Sequence, residues 1–322
     1  AGHGVLLYGG NQTIRSYGGK LSITGYANHP GGSAGWSANI SGGITLWDGS
    51  DVLRANGDLT LNGVDMQSIG MYLTITSGTG GGVTSDNGNI TIKGLSNSGY
   101  HSTYVRLPIT ATNGSVYISG AGNGAGIAQD VWYGAVRAKY DINMIGYSTA
   151  GYGIYLAAGS VISDSGSVYL SGYTSSANAG HYGIYSNAIN ATATGAGGSV
   201  VFQGAKINSA GTGSGYLVNA AATLDASNNP APLFAVADPA NMAYAATNGL
   251  YWTGNVSANT TNGYIQIAAK TPIVSGNMTS YGLALLASNQ NYSFSGTNTV
   301  SSLAASVGTG SVTYTNTGPL NI

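Results

Sequence analysis

Short runs in which apolar and other residues alternate with period two recur along the whole chain. The stretch from Gly153 to Gly172, GIYLAAGSVISDSGSVYLSG, contains three such runs separated by glycine and serine. Alternation with period two is typical of strands with one buried face. A helix is incompatible with glycine breaks this frequent. Three strands and three turns in about twenty residues therefore predict one lap of a coil rather than a hairpin.

The same unit recurs from one end of the chain to the other. Copies are predicted to begin at Gly4, Gly43, Gly70, Thr103, Val131, Gly153, Gly183, Gly215, Gly249 and Gly282. Their starts are mostly about 30 residues apart, a period typical of solenoids and repeat arrays. A propeller blade would need about 40 residues and four strands. We therefore predict an all-β, right-handed parallel β-helix with about ten rungs of three short strands.

The alternation also predicts which residues form the core. Two aliphatic or aromatic residues occupy equivalent inward positions in the third strand of most copies. These pairs are Leu21/Ile23, Leu59/Leu61, Ile90/Ile92, Val116/Ile118, Ile142/Met144, Val168/Leu170, Val200/Phe202 and Ile265/Ile267. The register is strongly specified, because a slip of one residue would turn every one of them outward. Corner glycines are expected to allow tight turns and positive φ.

Tyrosine is abundant, with 23 residues, and several are predicted to point outward. The candidate binding residues are Tyr72, Tyr155, Tyr185 and Tyr251 in the first strand and Tyr117 and Tyr169 in the third. Exposed aromatic rings with a polar tip suit contacts with proteins or stacking on sugar rings. Tyrosine is also a strong strand former that can shield a half-buried surface. Both explanations stay open at this point.

Composition and charge exclude several classes of protein. The 53 glycines follow no three-residue period, which excludes collagen, and 43% hydrophobic residues argue against disorder. A net charge of −1 gives no electrostatic reason to expect nucleic acid or an anionic membrane as partner. No apolar run is long enough to span a bilayer. We expect a single domain over 1–322, with an irregular insertion containing proline and asparagine near 226–247.

Carboxylates are the main candidates for chemistry, because cleavage of a polysaccharide needs paired acids or a metal on one face. The densest acidic group comprises Asp48, Asp51, Asp58 and Asp65, which could form a calcium site or a catalytic pair. Asp58, however, takes the position of Asn89, Ser115, Ser167 and Ser199 in other copies. That position favours turn chemistry, in which short polar side chains bond the local backbone. We therefore expect no enzyme activity, no metal and no cofactor.

The remaining ionisable residues give weaker signals. His3, His29, His101 and His181 lie in or near loops and share no position, whereas a metal site needs convergent ligands. Arg15 and Arg54 share the middle-strand position of adjacent copies. Two stacked arginines could bind a sulfate or carboxylate group, although a solvated surface is the favoured interpretation.

The segments that end three of the predicted copies resemble a known repeat. GDLTLNG from Gly57, GNITIKG from Gly88 and GSVYISG from Gly114 resemble the repeat region of filamentous-haemagglutinin-type adhesins. The resemblance covers essentially the whole chain as a style of repeat, without the family's N-terminal secretion domain. It implies a right-handed parallel β-helix exported by two-partner (type V) secretion, and hence a location outside the cell or on the bacterial outer surface.

The expected function is that of an extracellular structural or adhesive segment. Its Thr, Asn and Tyr faces and its loops would meet surface glycans or other protein copies in cell-surface, biofilm-matrix or host adhesion. Open rungs expose unpaired backbone groups, and no amphipathic helix is predicted to cap Ala1 or Ile322. No signal peptide is evident, which we interpret as a processed protein or a piece of a longer one. The alternatives are a filament subunit that assembles end to end and a polysaccharide-degrading lyase or glycoside hydrolase.

Overall fold

The computed structural model describes residues 3–8, 12–27, 42–47, 51–65, 67–74, 81–96, 101–176, 178, 180–187, 189–206, 250–269, 272–286 and 291–322. Within these ranges every regular element is a β-strand and every strand pairing is parallel. The strands are short because glycine and serine interrupt the apolar alternation at each corner.

The strands follow one another along the chain in repeated laps. In chain order they are β1 (His3–Tyr8), β2 (Thr13–Ser16), β3 (Leu21–Ala27), β4 (Gly42–Trp47), β5 (Val52–Ala55), β6 (Leu59–Asp65), β7 (Ile69–Thr74), β8 (Gly82–Ser85), β9 (Ile90–Ser96), β10 (Thr103–Arg106), β11 (Ile109–Ala111), β12 (Val116–Gly122), β13 (Ile127–Ala138), β14 (Ile142–Ser148), β15 (Ile154–Ser163), β16 (Val168–Thr174), β17 (Ile184–Ser186), β18 (Asn190–Ala193), β19 (Val200–Lys206), β20 (Leu250–Trp252), β21 (Val256–Ala258), β22 (Tyr264–Ala269), β23 (Ile273–Val274), β24 (Met278–Leu286), β25 (Tyr292–Phe294), β26 (Thr299–Ser306) and β27 (Val312–Thr313).

Each strand pairs with its equivalent in the laps before and after it. Thus β1 pairs with β4, β2 with β5 and β3 with β6, and the same pattern continues along the chain. Three stacks of strands result, here called the first, second and third stacks in the order in which a lap visits them. In two laps the first and second strands merge, as β13 and β15, and in two others the second and third merge, as β24 and β26. The predicted parallel β-helix of about ten three-stranded rungs is confirmed.

The core runs through the centre of the coil as one continuous cluster. The predicted third-strand pairs from Leu59/Leu61 to Ile265/Ile267 are all buried, whereas Leu21 and Ile23 in the first lap are half-buried. First-stack residues such as Leu73 and Leu156 face the same interior. Burial of these side chains supplies the main favourable free energy, since each removes apolar surface from water.

Corner glycines are needed for clearance. A Cβ added at Gly146 would lie 2.0 Å from the carbonyl oxygen of Gly153, and one at Gly172 would lie 2.2 Å from that of Gly183. Neither Gly146 nor Gly172 has a positive φ. The expectation that corner glycines supply positive φ is therefore wrong for this corner, where the chain passes from the third stack to the next lap. Here the backbones approach too closely for any side chain.

Two predicted copy boundaries are wrong. The fifth lap begins at Ile127, which pairs with Ile154, rather than at Val131. Gly282 pairs with Tyr264 and so continues the third stack instead of starting a first strand. The laps shorten near this end, where Ser311 bonds Asn291 only 20 residues earlier. Apolar alternation identifies a strand in both cases, but it does not identify the stack to which the strand belongs.

The predicted copy from Gly215 and the insertion near 226–247 lie outside the described residues. On either side of this segment the laps pair directly, β17 with β20 and β19 with β22.

The last described residues cover one end of the coil. The side-chain amide of Asn316 donates to the carbonyl oxygen of Val300 at 2.8 Å, and its oxygen accepts from the Val300 N–H at 2.9 Å. Further along, Leu303 donates its N–H to the carbonyl oxygen of Asn321 at 2.8 Å. Tyr314 and Leu320 pack against the end of the core. The edge of β26 is thus paired by the chain itself, without a helix.

Candidate functional site

Three of the predicted tyrosines form a stacked row on the outside of the first stack. Tyr155 pairs in register with Tyr185, and Tyr185 with Tyr251. Their ring centroids are 5.5 Å and 4.8 Å apart, with interplanar angles of 12° and 8°. In-register parallel strands produce this arrangement because they place equivalent side chains one rung apart, about 4.8 Å. We call these three residues the tyrosine ladder.

Two further tyrosines flank the ladder from the turns that precede the first strand. Tyr152 lies 5.1 Å from both Tyr155 and Tyr185, tilted by 36° and 47°. Tyr182 lies 5.5 Å from Tyr251, tilted by 53°. The ladder together with Tyr152 and Tyr182 is called the tyrosine patch. The sequence pattern missed these two residues because they lie outside the alternating runs.

The hydroxyl groups of the tyrosine patch are available to a ligand. All five side chains are half-exposed. Among the residues that the structure describes, none of the five hydroxyls has a hydrogen-bond partner. Burial, and then the neighbouring phenols, raise the pKa of Tyr152 and of Tyr185. These phenols consequently stay neutral and able to donate at physiological pH.

Tyr72 takes the outward position of the tyrosine ladder three laps before Tyr155, but it is only 6% exposed. It stacks on Tyr104 at 5.3 Å, and Trp47 contacts its other side at 5.8 Å. Tyr104 is 4% exposed and was not among the predicted site residues, although its place after Thr103 puts it in the Tyr72 position. Ala128 interrupts the row between Tyr104 and Tyr155. Tyr72 therefore contributes to packing more than to an accessible surface.

Tyr117 and Tyr169 lie in the third stack, away from the ladder. Asn143 occupies the rung between them, so they are two rungs apart and do not stack. Tyr169 is 37% exposed, and Tyr117 is half-exposed. The structure thus brings together three of the six predicted tyrosines and leaves the other three apart.

The acidic residues have structural partners. Asp51 and Asp58 flank opposite ends of β5. Asp51 is fully buried and accepts a hydrogen bond from the Gln12 N–H at 2.8 Å. Asp65 is also fully buried and accepts from the N–H groups of Gln67 and Ser68. Asp48 lies outside the described residues. The described chain contains no group of three or more His and Asp residues that could hold a metal ion.

Asp58 belongs to a column of turn residues that link successive laps. Its Oδ1 accepts from the Asn89 N–H at 3.0 Å, and the Asn89 side chain accepts from the Ser115 N–H at 2.8 Å. Ser167 accepts from the Ser199 N–H in the same way at 3.1 Å. The bond from Asn89, followed by that from Lys20, lowers the pKa of Asp58. Its geometry agrees with the turn role that the sequence favours.

The predicted arginine pair does not act as a unit. Arg15 and Arg54 are in register, but Arg54 forms a bidentate ion pair with Asp86, with Nη2 2.7 Å from Oδ1. The guanidinium of Arg15 lies over the ring of Tyr17, 4.5 Å from its centroid. The carboxylate of Asp86 therefore already occupies the Arg54 guanidinium, whereas Arg15 contacts a ring through its face.

The histidines do not converge on one site. His3 bonds Thr45 at 3.1 Å, and burial lowers its pKa. His101 stacks on Tyr104 at 5.5 Å, and His181 lies 4.9 Å from Tyr152 with its Nδ1 2.7 Å from the Ser176 hydroxyl. His29 lies outside the described residues. The Ser176–His181 contact was not predicted. Because Ser176 is 4% exposed and accepts from the Asn178 N–H, it serves a local turn.

Charge is distributed unequally along the chain. Of the nine basic and ten acidic residues, fifteen precede Ser165. Only Lys206, Asp225, Asp238 and Lys270 follow it. The tyrosine patch therefore lies where the chain changes from a moderately charged half to a nearly uncharged half.

No protein family, curated protein or solved structure matches this chain. No helix in the described ranges is long and apolar enough to cross a membrane. Fold and site together define a class, namely a parallel β-helix that carries a tyrosine patch on one face.

Proposed function

We propose that the chain is an extracellular structural and adhesive β-helix segment, of the kind found in filamentous-haemagglutinin-type adhesins. It would act at a bacterial cell surface or in a biofilm matrix. The observation that carries the proposal is the tyrosine patch, in which five half-exposed rings present hydroxyls without a partner among the described residues. Tyrosine combines a large apolar ring with a polar tip, a combination suited to recognition surfaces.

The coil supports such a patch rigidly. Tyr155, Tyr185 and Tyr251 alternate with fully buried neighbours such as Ile154, Leu156 and Trp252. A rotation of any one strand would expose these core residues, so the outward position is fixed. Recognition by a fixed surface loses less conformational entropy than recognition by mobile loops.

The polysaccharide-degrading alternative has less support. General acid–base cleavage needs two carboxyl groups directed at one bond. Asp51 and Asp58 flank opposite ends of β5, and each bonds a backbone N–H of an adjacent lap. We expect no new reducing ends when the protein is incubated with neutral or acidic polysaccharides, with or without calcium.

Adhesion of protein-coated beads tests the proposed function directly. Beads would be offered to biofilm matrix and to host-cell surfaces. The variant carries Tyr155→Ser, Tyr185→Ser and Tyr251→Ser. The control carries Tyr140→Ser and Tyr264→Ser, two exposed tyrosines outside the first stack. We expect adhesion by the wild type and the control and its loss in the ladder variant. Absence of adhesion by the wild type, or equal adhesion by all three proteins, would overturn the proposal.

A further inference from the structure

We propose that the tyrosine patch binds a neutral polysaccharide whose chain lies along the axis of the β-helix. The inference rests on the proposed adhesive function and names the class of ligand. Tyr185 has Tyr155 on one face at 5.5 Å and Tyr251 on the other at 4.8 Å, both nearly parallel to it. Its faces are covered, so its ring edge and its hydroxyl remain for a ligand.

A row of phenol hydroxyls is complementary to a polymer of hydroxyl groups. Each phenol can donate one hydrogen bond and accept another, and the five hydroxyls have no protein partner within the described ranges. Sugar hydroxyls also donate and accept, so the two surfaces can pair without leaving a polar group unsatisfied. The tilted rings of Tyr152 and Tyr182 border the ladder and add apolar surface beside it.

The spacing of the ladder favours a polymer over a single sugar. Ladder rings repeat at 4.8–5.5 Å along the axis. An extended β-1,4-linked hexopyranose chain advances by a similar distance per ring. Successive sugars can therefore meet successive tyrosines, and the contacts of one chain add as in multivalent binding.

The surroundings favour a neutral polymer over an acidic one. From Tyr152, where the tyrosine patch begins, to the end of β22 at Ala269, the described chain contains two charged residues, Asp164 and Lys206, and Asp164 is paired with Arg137. An acidic polysaccharide would bring carboxylates to a surface with little positive charge to pair them, and burial of an unpaired charge is unfavourable. A neutral glycan has no such penalty.

Affinity electrophoresis with two polymers of the same backbone tests the inference. Hydroxyethyl cellulose is neutral, whereas carboxymethyl cellulose carries carboxylates. We expect the folded wild-type protein to be retarded by the neutral polymer, with at least about tenfold weaker retention by the acidic one. The variant Tyr155→Phe, Tyr185→Phe, Tyr251→Phe retains the stacked rings and loses only three hydroxyls. It should bind at least about tenfold more weakly, because three hydrogen bonds to the glycan are lost.

The control Tyr140→Phe, Tyr264→Phe removes the hydroxyls of two exposed tyrosines outside the first stack and should bind like the wild type. Unchanged binding by the ladder variant, equal binding of both polymers, or no binding of either would overturn the inference. Retained bead adhesion together with any of these results would leave the adhesive function standing, and where neither polymer binds it would indicate a protein partner. If beads coated with the wild-type protein do not adhere, the proposed function itself is refuted.

Discussion

At the scale of single residues, the same backbone position gives different side chains different roles. Tyr72 and Tyr185 both point outward from the first stack, yet Tyr72 is 6% exposed and Tyr185 is half-exposed. Both rings have aromatic neighbours from adjacent laps, Trp47 and Tyr104 beside Tyr72 and Tyr155 and Tyr251 beside Tyr185, so stacking alone does not set the exposed fraction. Alternation with period two predicts the direction of a side chain. It does not predict coverage by rings from adjacent laps, which depends on rotamers and on turn residues such as Tyr152.

Asp58 offers a direct test of turn chemistry against metal binding. Asp58→Asn retains an acceptor for the Asn89 N–H and loses only the ion pair with Lys20, whose side chains are exposed. We expect its free energy of unfolding to lie within about 0.5 kcal/mol of the wild type, since exposed pairs contribute little. Asp58→Ala loses the acceptor as well, and a loss of about 0.5–1.5 kcal/mol in urea unfolding is expected.

The same residue predicts a dependence on acid. Because the pKa of Asp58 is lowered in the folded state, its contribution is present above the ordinary carboxyl pKa of about 4 and is lost as the pH falls through the folded value. The difference in free energy of unfolding between Asp58→Asn and the wild type should therefore become smaller as the pH falls from 7 to 3. A melting temperature raised by calcium in the wild type and not in Asp58→Asn would contradict the turn role.

Tyr292 predicts a dependence on alkali. Burial raises the pKa of this tyrosine to about 12 from 10.0. The unfolded chain then loses the phenol proton first, so stability is complete below pH 10 and declines as the pH rises toward 12. The decline is at most about 2.7 kcal/mol for a two-unit shift. Tyr292→Phe should show a flatter profile of stability against pH than the wild type in thermal unfolding between pH 9.5 and 11.5. The same slope in Tyr292→Phe and in the wild type would refute this assignment.

At the scale of elements, the sequence predicts strands better than it predicts the stack to which each belongs. The third-strand pairs from Leu59 to Ile267 fall in their predicted places because aliphatic residues two apart recur at a glycine-bounded position. Gly282 was misplaced because its run, GLALL, has the pattern of a first strand. Its place in the third stack follows from the shortened laps beyond Ile273, where β23 has only two residues. The lengths of the turns, rather than the hydrophobic pattern, determine the stack to which this strand belongs.

The corner between the third stack and the next lap predicts a strong effect of one methyl group. In Gly146→Ala the new Cβ would lie 2.0 Å from the Gly153 carbonyl oxygen, and both backbones belong to paired strands or adjoin them. Neither backbone can move without disturbing the hydrogen bonds between paired strands. We therefore expect the free energy of unfolding, measured in urea, to fall by at least about 2 kcal/mol. Gly18→Ala has no atom within 4 Å of the added Cβ and should change stability by less than about 1 kcal/mol. Similar values for the two variants would contradict the clearance role.

At the scale of the whole molecule, the two ends of the coil differ. Within the described ranges, β1, β2 and β3 each pair on one side only, with β4, β5 and β6. At the other end, Asn316 satisfies both backbone groups of Val300, and Asn321 pairs with the chain around Ser302. An open head-to-tail filament needs accessible edges at both ends. The paired edge of β26 therefore offers no open strand for head-to-tail pairing.

Light scattering at increasing protein concentration tests this difference. We expect a constant particle mass or a limited dimer from the intact chain, because residues 312–322 cover the edge of β26. A chain lacking 312–322 exposes the backbone of Val300 and should gain mass with concentration through strand pairing. Asn316→Ala with Thr317→Ala provides a milder variant, since it removes both Asn316 bonds to Val300 and the bond from the Thr317 hydroxyl to the Asn298 carbonyl oxygen. The segment and the Thr317 N–H bond to the same oxygen are retained. Mass that grows without limit in the intact protein would favour the filament, because the covered end would then have to open during assembly.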